Sequence, residues 1–222
     1  MDENMKSIIL NRINRVASGL AKNNMEFHYA ESREEVLTLV GNLLNVGDVV
    51  ATGGSMTLKQ CGVIDLLKSD KYKYLDRASI NDDMAHQLYI ASFSADAYLC
   101  SANAITENGE LYNVDGTSNR IAAICYGPKS VIVVVGYNKI VKNIDEAINR
   151  VKTISAPANA QRLTCATYCY EKKQCMAYSM NNPEICSGCE SESRICCNYL
   201  ISAHQRIKNR IKVIIVGEEL GY

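Results

Sequence analysis

Apolar residues recur along the chain with two different spacings, which predict alternating helices and strands. Near the start, apolar side chains fall three or four positions apart between Met5 and Leu20, the spacing of an amphipathic helix. The runs at 130–136 and 211–217 are instead apolar at nearly every position. Such runs are typical of parallel strands that are buried on both faces. The pattern therefore predicts an α/β protein in which helices cover a mostly parallel sheet.

Shorter signals predict the remaining elements. Ser32 and Glu35 form a capping-box pattern that should begin a second helix. Further elements are a short strand before the Gly53-Gly54 turn, a helix over 80–93, a strand over 96–101 and a helix over 143–155. Together they predict a three-layer α/β/α architecture with a mostly parallel central sheet. A chain of 222 residues is long enough for one full core, so residues 1–222 are interpreted as a single domain.

The segment 101–123 is longer than an ordinary connection and contains two turn signals. Asn108-Gly109 favours a two-residue type I′ turn, which would pair 105–107 with 110–112. Asp115-Gly116 marks a second turn, and Thr117 is the predicted N-cap of the helix that follows. The segment leaves a predicted strand at its carboxyl end, where parallel sheets usually bind ligands.

The Gly53-Gly54 turn lies at another such strand end and is predicted to bind an anion. Glycines at these two positions let the backbone approach a bound group closely. Ser55 and Thr57 are placed to cap a helix whose amino end carries free N–H groups and partial positive charge. The alternative is a tight turn with a serine cap and no ligand.

Polar residues of the long segment are predicted to converge on the same edge of the sheet. They supply hydrogen-bond donors, a carboxylate and a guanidinium suited to planar anions; they are Asn103, Asp115, Thr117, Asn119 and Arg120. Lys139 follows the 130–136 strand and is placed to reach a carboxylate or phosphate as a point charge. The alternatives are that these side chains only fix turns, that Arg120 pairs with a surface acid, and that Lys139 is solvated.

Composition and charge narrow the class of protein. The formal net charge is zero, so the basic surface typical of nucleic-acid binding is not expected. No apolar run approaches the roughly 18 residues that a membrane helix needs. The amino terminus lacks the basic start and apolar run of a signal peptide, which predicts a cytoplasmic protein. In that compartment the ten cysteines are expected to be reduced thiols or metal ligands.

Five runs of the sequence are specific enough to compare with known families. They are "GGSMTL", "SANAITENGELYNVDGTSNRIAAICYGPKSVIVVVGYNKIV", "AINRVK", "APANAQRL" and "EELGY". These runs resemble the LUD domain family, the lactate-utilisation proteins. The similarity extends from about residue 5 to the C-terminus and is interrupted within the cysteine-rich segment. It implies a ribose-5-phosphate isomerase/CoA-transferase-like fold. It also implies a site made by the Gly-Gly-Ser turn, the Asn103 loop and the turn from Asp115 to Arg120.

The cysteine-rich segment, 163–205, is interpreted as an insertion before the last strand. Cys186 and Cys189 have the C-x-x-C spacing of zinc and iron–sulfur sites. The resemblance adds Cys169, at the family's Thr-Pro-Cys position, and with Cys196 these form the predicted ligand set. Cys175 is the main substitute for the upstream ligand. The alternative is a metal-free flap; three other cysteines, Cys61, Cys100 and Cys125, are predicted to be core residues.

The favoured function is a lactate-utilisation accessory or redox subunit that binds a small carboxylate- or phosphate-bearing metabolite. Lactate-oxidation partner subunits are expected because the glycine patterns of nicotinamide and flavin sites are missing; a homo-oligomer stays open. One alternative is an isomerase- or acyl-CoA-transferase-like enzyme using Asp115 or Glu107 as base or nucleophile. Another is a metabolite-sensing module without turnover. The three histidines, His28, His86 and His204, are interpreted as structural.

Overall fold

A computed structural model of the protein describes residues 2–180 and 184–222. Its α-helices are α1 (Glu3–Lys22), α2 (Glu35–Leu43), α3 (Met56–Gln60), α4 (Val63–Leu67), α5 (Asp82–Ser92), α6 (Asn119–Cys125), α7 (Ile144–Arg150), α8 (Ala156–Leu163) and α9 (Tyr168–Lys172). Its strands are β1 (Glu26–Ala30), β2 (Val49–Thr52), β3 (Lys73–Leu75), β4 (Ala97–Cys100), β5 (Ala104–Thr106), β6 (Leu111–Asp115), β7 (Ser130–Gly136), β8 (Ile140–Val141), β9 (Asn198–Ser202) and β10 (Ile211–Val216). Short 3₁₀ turns cover Arg77–Ser79, Tyr137–Lys139 and Met176–Ser179.

The main sheet is parallel throughout and has the strand order β1-β10-β7-β4-β2-β3. The two continuously apolar strands, β7 and β10, pair with each other near its middle. One face packs on α1, whose Ile13, Val16 and Leu20 are buried with Val133 and Val213. The opposite face packs on α2, α3 and α4. The predicted three-layer α/β/α fold with a mostly parallel central sheet is confirmed.

A second sheet of four strands, in the order β8-β5-β6-β9, stands beside the first. The predicted hairpin supplies its centre, where β5 and β6 pair antiparallel with Ala104 opposite Tyr112. The cysteine-rich segment contributes β9, which pairs antiparallel with β6. The segment is therefore anchored to this sheet before the chain enters the main sheet as β10.

Three local predictions are wrong in detail. Helix α2 begins at Glu35 rather than Ser32, because the Glu35 carboxylate accepts from the N–H of Glu31 and no capping box forms. The hairpin turn is not type I′, since only Gly109 of the predicted pair has positive φ (79°). Its N–H donates to the carbonyl of Thr106 (2.9 Å), which gives a type I turn followed by a glycine bulge.

The third correction concerns the start of α6. Thr117 does not cap this helix; the N-cap residue is Ser118, in a left-handed conformation and without a side-chain bond. The carboxylate of Asp115 instead accepts from the N–H of Ile121 (3.0 Å). A carboxylate near the positive end of the helix stabilises it and also fixes Asp115 in place.

Helix α1 touches the hairpin through two glycines. A Cβ added at Gly19 would lie 2.3 Å from the backbone carbon of Asn108, whereas one added at Gly41 in α2 would meet nothing within 4 Å. We therefore expect Gly19→Ala to lower the free energy of unfolding by about 1–3 kcal/mol through backbone displacement. Gly41→Ala, the matched control, should raise it by up to about 1 kcal/mol through helix propensity. Urea denaturation measures both, and equal effects would contradict the close contact.

Among residues 2–180 and 184–222, no helix combines the length and apolar character needed to cross a bilayer.

Candidate functional site

A cleft of about 240 Å³ opens where the strands of the main sheet end. The segments after β2, β4, β7 and β10 line it, together with the β6–α6 turn and α8. Their lining residues include Gly54, Ser55, Ser101, Asn103, Asp115, Asn119, Arg120, Lys139, Asn159, Arg162 and Tyr222. The cleft thus lies at the carboxyl ends of the strands, where parallel sheets usually bind ligands.

The two glycines after β2 have different roles. Gly54 is exposed, and a side chain there would meet nothing within 4 Å, so this position opens the cleft. Gly53 is buried, and a Cβ there would lie 3.1 Å from the Tyr98 hydroxyl and 3.3 Å from Cδ of Arg120. Gly53 is therefore needed for packing behind the cleft. Ser55 caps α3 by accepting from the N–H of Leu58 (3.2 Å).

Lys139 lines the cleft with an almost completely buried side chain, only 3% exposed. Its Nζ donates to the hydroxyls of Thr57 and Ser101, at 3.0 Å each. Burial lowers the pKa of this amine to about 7, helped by the positive charges of Arg150 and Arg120. Near neutral pH a large fraction of the Lys139 side chains is therefore uncharged.

Arg120 joins the loop after β4 to the turn after β6. Its guanidinium donates twice to Oδ1 of Asp115 (2.6 and 2.9 Å) and once to Oδ1 of Asn103 (2.8 Å). It also donates to the carbonyl oxygens of Ser101 (2.9 Å) and Val114 (3.0 Å). Because its side chain is only 14% exposed, these bonds are shielded from water. Arg120 thus holds the loop after β4 and the turn after β6 in fixed positions at the cleft.

A buried arginine, Arg150, joins the loop after β4 to Ser155, the residue before α8. It donates to the carbonyl of Asn103 (2.6 Å) and to the hydroxyl of Ser155 (2.7 Å). Burial lowers its pKa to about 10. Directly after Arg150 the chain forms a π-helix over Val151–Ser155. This conformation is rare in proteins and is frequent at functional sites. The π-helix directs α8, with Asn159 and Arg162, toward the cleft.

The cleft lining contains more basic than acidic side chains. Arg120, Lys139 and Arg162 lie there with one carboxylate, that of Asp115. Arg120 neutralises that carboxylate, whereas the Arg162 guanidinium contacts the neutral side chain of Asn159 (2.7 and 3.1 Å). Arg162 therefore keeps its charge available to a ligand.

A second, smaller cavity of about 20 Å³ lies within the cysteine-rich segment, between it and the second sheet. Four thiols line it, those of Cys169, Cys175, Cys189 and Cys196. Burial raises the pKa of Cys196 to about 12, and the nearby thiols of Cys175, Cys169 and Cys189 add to the effect. In residues 2–180 and 184–222, however, no three cysteine, histidine or acidic side chains are close enough to hold a metal ion as they stand.

Two cationic side chains hold the walls of this thiol cavity. The Arg194 guanidinium donates to the carbonyl oxygens of Cys186 (2.7 Å), Cys189 (3.1 Å) and Cys196 (2.7 Å). On the other side Lys152 donates to the carbonyl oxygens of Ile185 (3.2 Å) and Ser187 (2.5 Å). Arg194 thus holds together the backbone of a loop with little regular structure, and Lys152 ties the same loop to the π-helix.

Comparison with known proteins identifies the family. A family model described as the LUD domain matches residues 13–216. The chain belongs to the LUD domain family. Membership implies a role related to lactate utilisation. A search of curated proteins found none with significant similarity.

One solved structure supports the fold of this LUD domain, and two others show a weaker, partial similarity. A DUF162 family protein from Deinococcus radiodurans superposes with a TM-score of 0.50 at 14% identity, over 95% of this chain and 98% of that one. The beta subunit of eIF2B from Chaetomium thermophilum has a TM-score of 0.35 at 18% identity, over 52% of this chain and 42% of that one. The delta subunit from the same organism has a TM-score of 0.34 at 19% identity, over 53% and 50%.

The LUD domain brings most of the predicted ligand-binding residues to the cleft. Gly54, Ser55, Asn103, Asp115, Thr117, Asn119, Arg120 and Lys139 line it. Gly53 and Thr57 lie directly behind the lining, against Arg120 and Lys139 respectively. The sequence analysis missed Ser101, Ser155, Asn159, Arg162 and Tyr222. The run "APANAQRL" contained a signal for two of them, because it places Asn159 and Arg162 one helical turn apart.

Other predicted residues lie elsewhere or are already engaged. Glu107 is outside the cleft and forms ion pairs with Arg12 (2.9 Å) and Arg15 (2.6 Å) of α1. Cys125 is exposed, so the prediction that it is a core residue is wrong; Cys61 and Cys100 are buried as predicted. Cys186 is exposed and does not line the thiol cavity, where Cys175 is found instead.

The depressed pKa of Lys139 predicts pH-dependent stability. Between about pH 7 and 10.5 the unfolded amine, with its ordinary pKa of 10.5, binds more protons than the folded one. Stability therefore rises with pH across this window, and the burial penalty is greatest below it. We expect the stability advantage of Lys139→Met over wild type to shrink by about 3 kcal/mol between about pH 7 and 9.5.

Urea denaturation at several pH values measures this difference. The matched control is Lys59→Met, since Lys59 is an exposed lysine on the surface of α3. Its difference from wild type should stay constant over the same range. A constant difference for Lys139→Met would show that the folded protein keeps this lysine charged.

Proposed function

We propose that this LUD domain is a lactate-utilisation accessory or redox subunit whose cleft binds a small carboxylate- or phosphate-bearing metabolite. The observation that carries the proposal is a set of basic side chains in one cleft at the strand ends, in which Arg120 pairs with Asp115 and the Arg162 guanidinium contacts only the neutral Asn159 among the described residues. A volume of about 240 Å³ suits a metabolite of a few heavy atoms. It is below the usual range of about 300–1,000 Å³ for larger ligands.

The two carboxylates considered for catalysis, Asp115 and Glu107, are already paired with arginines. This favours a binding function over the isomerase- or transferase-like alternative. Asp115 accepts from Arg120 and from the N–H of Ile121, so its oxygens are occupied. Glu107 is paired with Arg12 and Arg15 away from the cleft. A general base needs a free oxygen within reach of the substrate, which neither residue provides.

The experiment is a thermal-shift series with L-lactate, pyruvate, inorganic phosphate, ribose 5-phosphate and acetyl-CoA, at matched ionic strength. A ligand at about one hundred times its Kd adds about 2.7 kcal/mol of stability, which raises Tm measurably. We expect a shift with at least one small anion and a reduced shift for Arg162→Met. The matched control, Arg206→Met, changes an exposed arginine outside the cleft lining. No shift with any of these compounds would overturn the proposed binding function.

A soft-metal centre at the thiol cavity is the second part of the proposal. Its support is that four cysteines, Cys169, Cys175, Cys189 and Cys196, line one cavity whose walls are fixed by Arg194 and Lys152. Thiolates are preferred ligands of zinc and iron–sulfur clusters. A cavity of about 20 Å³ fits a single ion better than a cluster of several atoms, provided the thiols approach one another on binding.

The identity of the metal separates the accessory from the redox role. Zinc would stabilise the fold of the cysteine-rich segment, whereas an iron–sulfur cluster would supply electron transfer. Protein purified without oxygen should contain about one zinc per chain if the first holds, or iron, sulfide and a visible absorption band if the second holds. Cys175→Ser should lower the metal content more than Cys186→Ser, and Cys125→Ser is the exposed control. Metal-free anaerobic protein would leave the segment as a thiol-rich flap.

A further inference from the structure

The amine of Lys139 is more deeply buried than a lysine needs to be if it only attracts an anion by its charge. It lines the cleft, yet its side chain is 3% exposed. Its hydrogen-bond partners are the neutral hydroxyls of Thr57 and Ser101. The charged groups that lower its pKa are the guanidinium groups of Arg150 and Arg120, and the thiols of Cys100 and Cys61 have a smaller, opposite effect. A lysine meant only to attract an anion would be expected to keep its charge in contact with water.

The hydrogen bonds of Nζ suit the neutral amine. An ammonium group has three N–H donors, whereas a neutral amine has two and one lone pair. In the part of the chain that the structure describes, Nζ makes two bonds, each of 3.0 Å, and no ion pair. The two hydroxyls therefore satisfy the neutral amine completely. Its lone pair remains available to a group that enters the cleft.

A purely structural role explains these contacts less well. Burying an ammonium group without a carboxylate is costly, and an apolar or hydroxyl side chain would fill this position without that cost. Ionisable groups held in such unfavourable surroundings cluster at functional sites. The amine also belongs to a cleft that is rich in anion-binding side chains.

We propose that Lys139 forms a covalent imine with a small 2-oxo acid bound in the cleft. This inference rests on the proposed function and names its ligand class. A 2-oxo acid combines a carboxylate, which suits Arg162, with an adjacent electrophilic carbonyl carbon. It is also the product of oxidising a 2-hydroxy acid such as lactate, which fits the role of the family.

The chemistry balances without an oxidant or reductant. The lone pair of Nζ attacks the carbonyl carbon, and the carbonyl electron pair moves to oxygen, which takes a proton. The carbinolamine then loses its hydroxyl group as water while the C=N bond forms. Both N–H protons of the neutral amine leave in that water. The hydroxyls of Thr57 and Ser101, each 3.0 Å from Nζ, are placed to relay these protons.

Reductive trapping tests the proposal on the full-length protein. Pyruvate is the probe, sodium cyanoborohydride converts an imine into a stable secondary amine, and peptide mapping by mass spectrometry locates the adduct. We expect wild-type protein to be labelled at Lys139 ahead of its exposed lysines, with labelling that increases as the pH rises through about 7. L-Lactate has no ketone carbonyl to form an imine and should protect Lys139 by competition.

Two variants provide the controls. Lys139→Arg keeps a cation but has no primary amine to form the imine, so labelling at position 139 should be lost. Lys142→Arg, which changes a nearby exposed lysine, should leave labelling unchanged. Adducts spread over exposed lysines in the wild type would overturn the proposal even if Lys139→Arg fails to fold. A thermal shift with any of the small anions but no trapping of pyruvate would refute the imine alone, whereas no shift with any of them would refute the binding function as well.

Discussion

A chain that ends after residue 205 is expected to be insoluble and to show no cooperative unfolding transition. The truncation removes β10, which lies between β1 and β7 in the main sheet. Its Ile211, Val213 and Ile215 are fully buried on the α1 side, and Ile214 is buried on the other. Each such side chain contributes roughly 1.5–3 kcal/mol when buried. Because a domain of this size is stable by about 5–15 kcal/mol, the remainder cannot stay folded.

Loss of β10 would also leave β7 with an unpaired, apolar edge. Exposed edges of that kind favour aggregation. A chain that ends after Glu218 is the matched control, since it keeps β10 and the ion pair between Arg33 and Glu218. Expression, gel filtration and thermal melting compare the two. A soluble truncation at 205 with a cooperative melt would contradict the central position of β10.

The buried layers of the fold could be predicted because their sequence signals are local and strong. The run at 130–136 matches β7, and the run at 211–217 exceeds β10 by one residue. A strand buried on both faces must be apolar at almost every position, which leaves little ambiguity. The period of α1 is equally clear, since one face packs on the sheet and the other faces solvent.

The second sheet could not be predicted from the same signals. Its strands are short, and the pairing of β6 with β9 joins positions more than eighty residues apart. Nothing in the local pattern of "NYLIS" indicates that partner. The positions of the thiols likewise depend on how the cysteine-rich segment folds and not on their spacing along the chain. For this reason Cys175, rather than Cys186, lines the thiol cavity.

Most residues of the candidate site could be predicted from the sequence, whereas their burial and hydrogen bonding could not. Asn103, Asp115 and Arg120 converge as the turn signals indicated. For Lys139 the sequence suggested a point charge at the end of a strand. Its burial between Thr57, Ser101 and the C-terminal segment depends on four separate parts of the chain, so only tertiary structure reveals its lowered pKa.

We expect Arg120→Met to lower mainly the stability of the protein and Arg162→Met to lower mainly its affinity for an anion. Arg120→Met leaves the carboxylate of Asp115 and the carbonyl of Ser101 without their partner in a shielded position. Removing one partner of such a pair costs roughly 3–5 kcal/mol. Because Asp115 also caps α6, the loop after β4 and the start of that helix should loosen together.

Arg162→Met should have the opposite profile. Its guanidinium contacts only Asn159 in the part of the chain that the structure describes, and exposed pairs contribute about 0–1 kcal/mol. The free energy of unfolding should therefore change little, while the affinity for a small anion falls by roughly tenfold or more, since a charged hydrogen bond contributes about 1.5–3 kcal/mol. Urea denaturation and calorimetric titration with the ligand found by thermal shift measure the two quantities. If Arg162→Met lost stability and Arg120→Met kept it, the roles assigned to the two arginines would be reversed, and the anion would have to be bound from the β6–α6 turn.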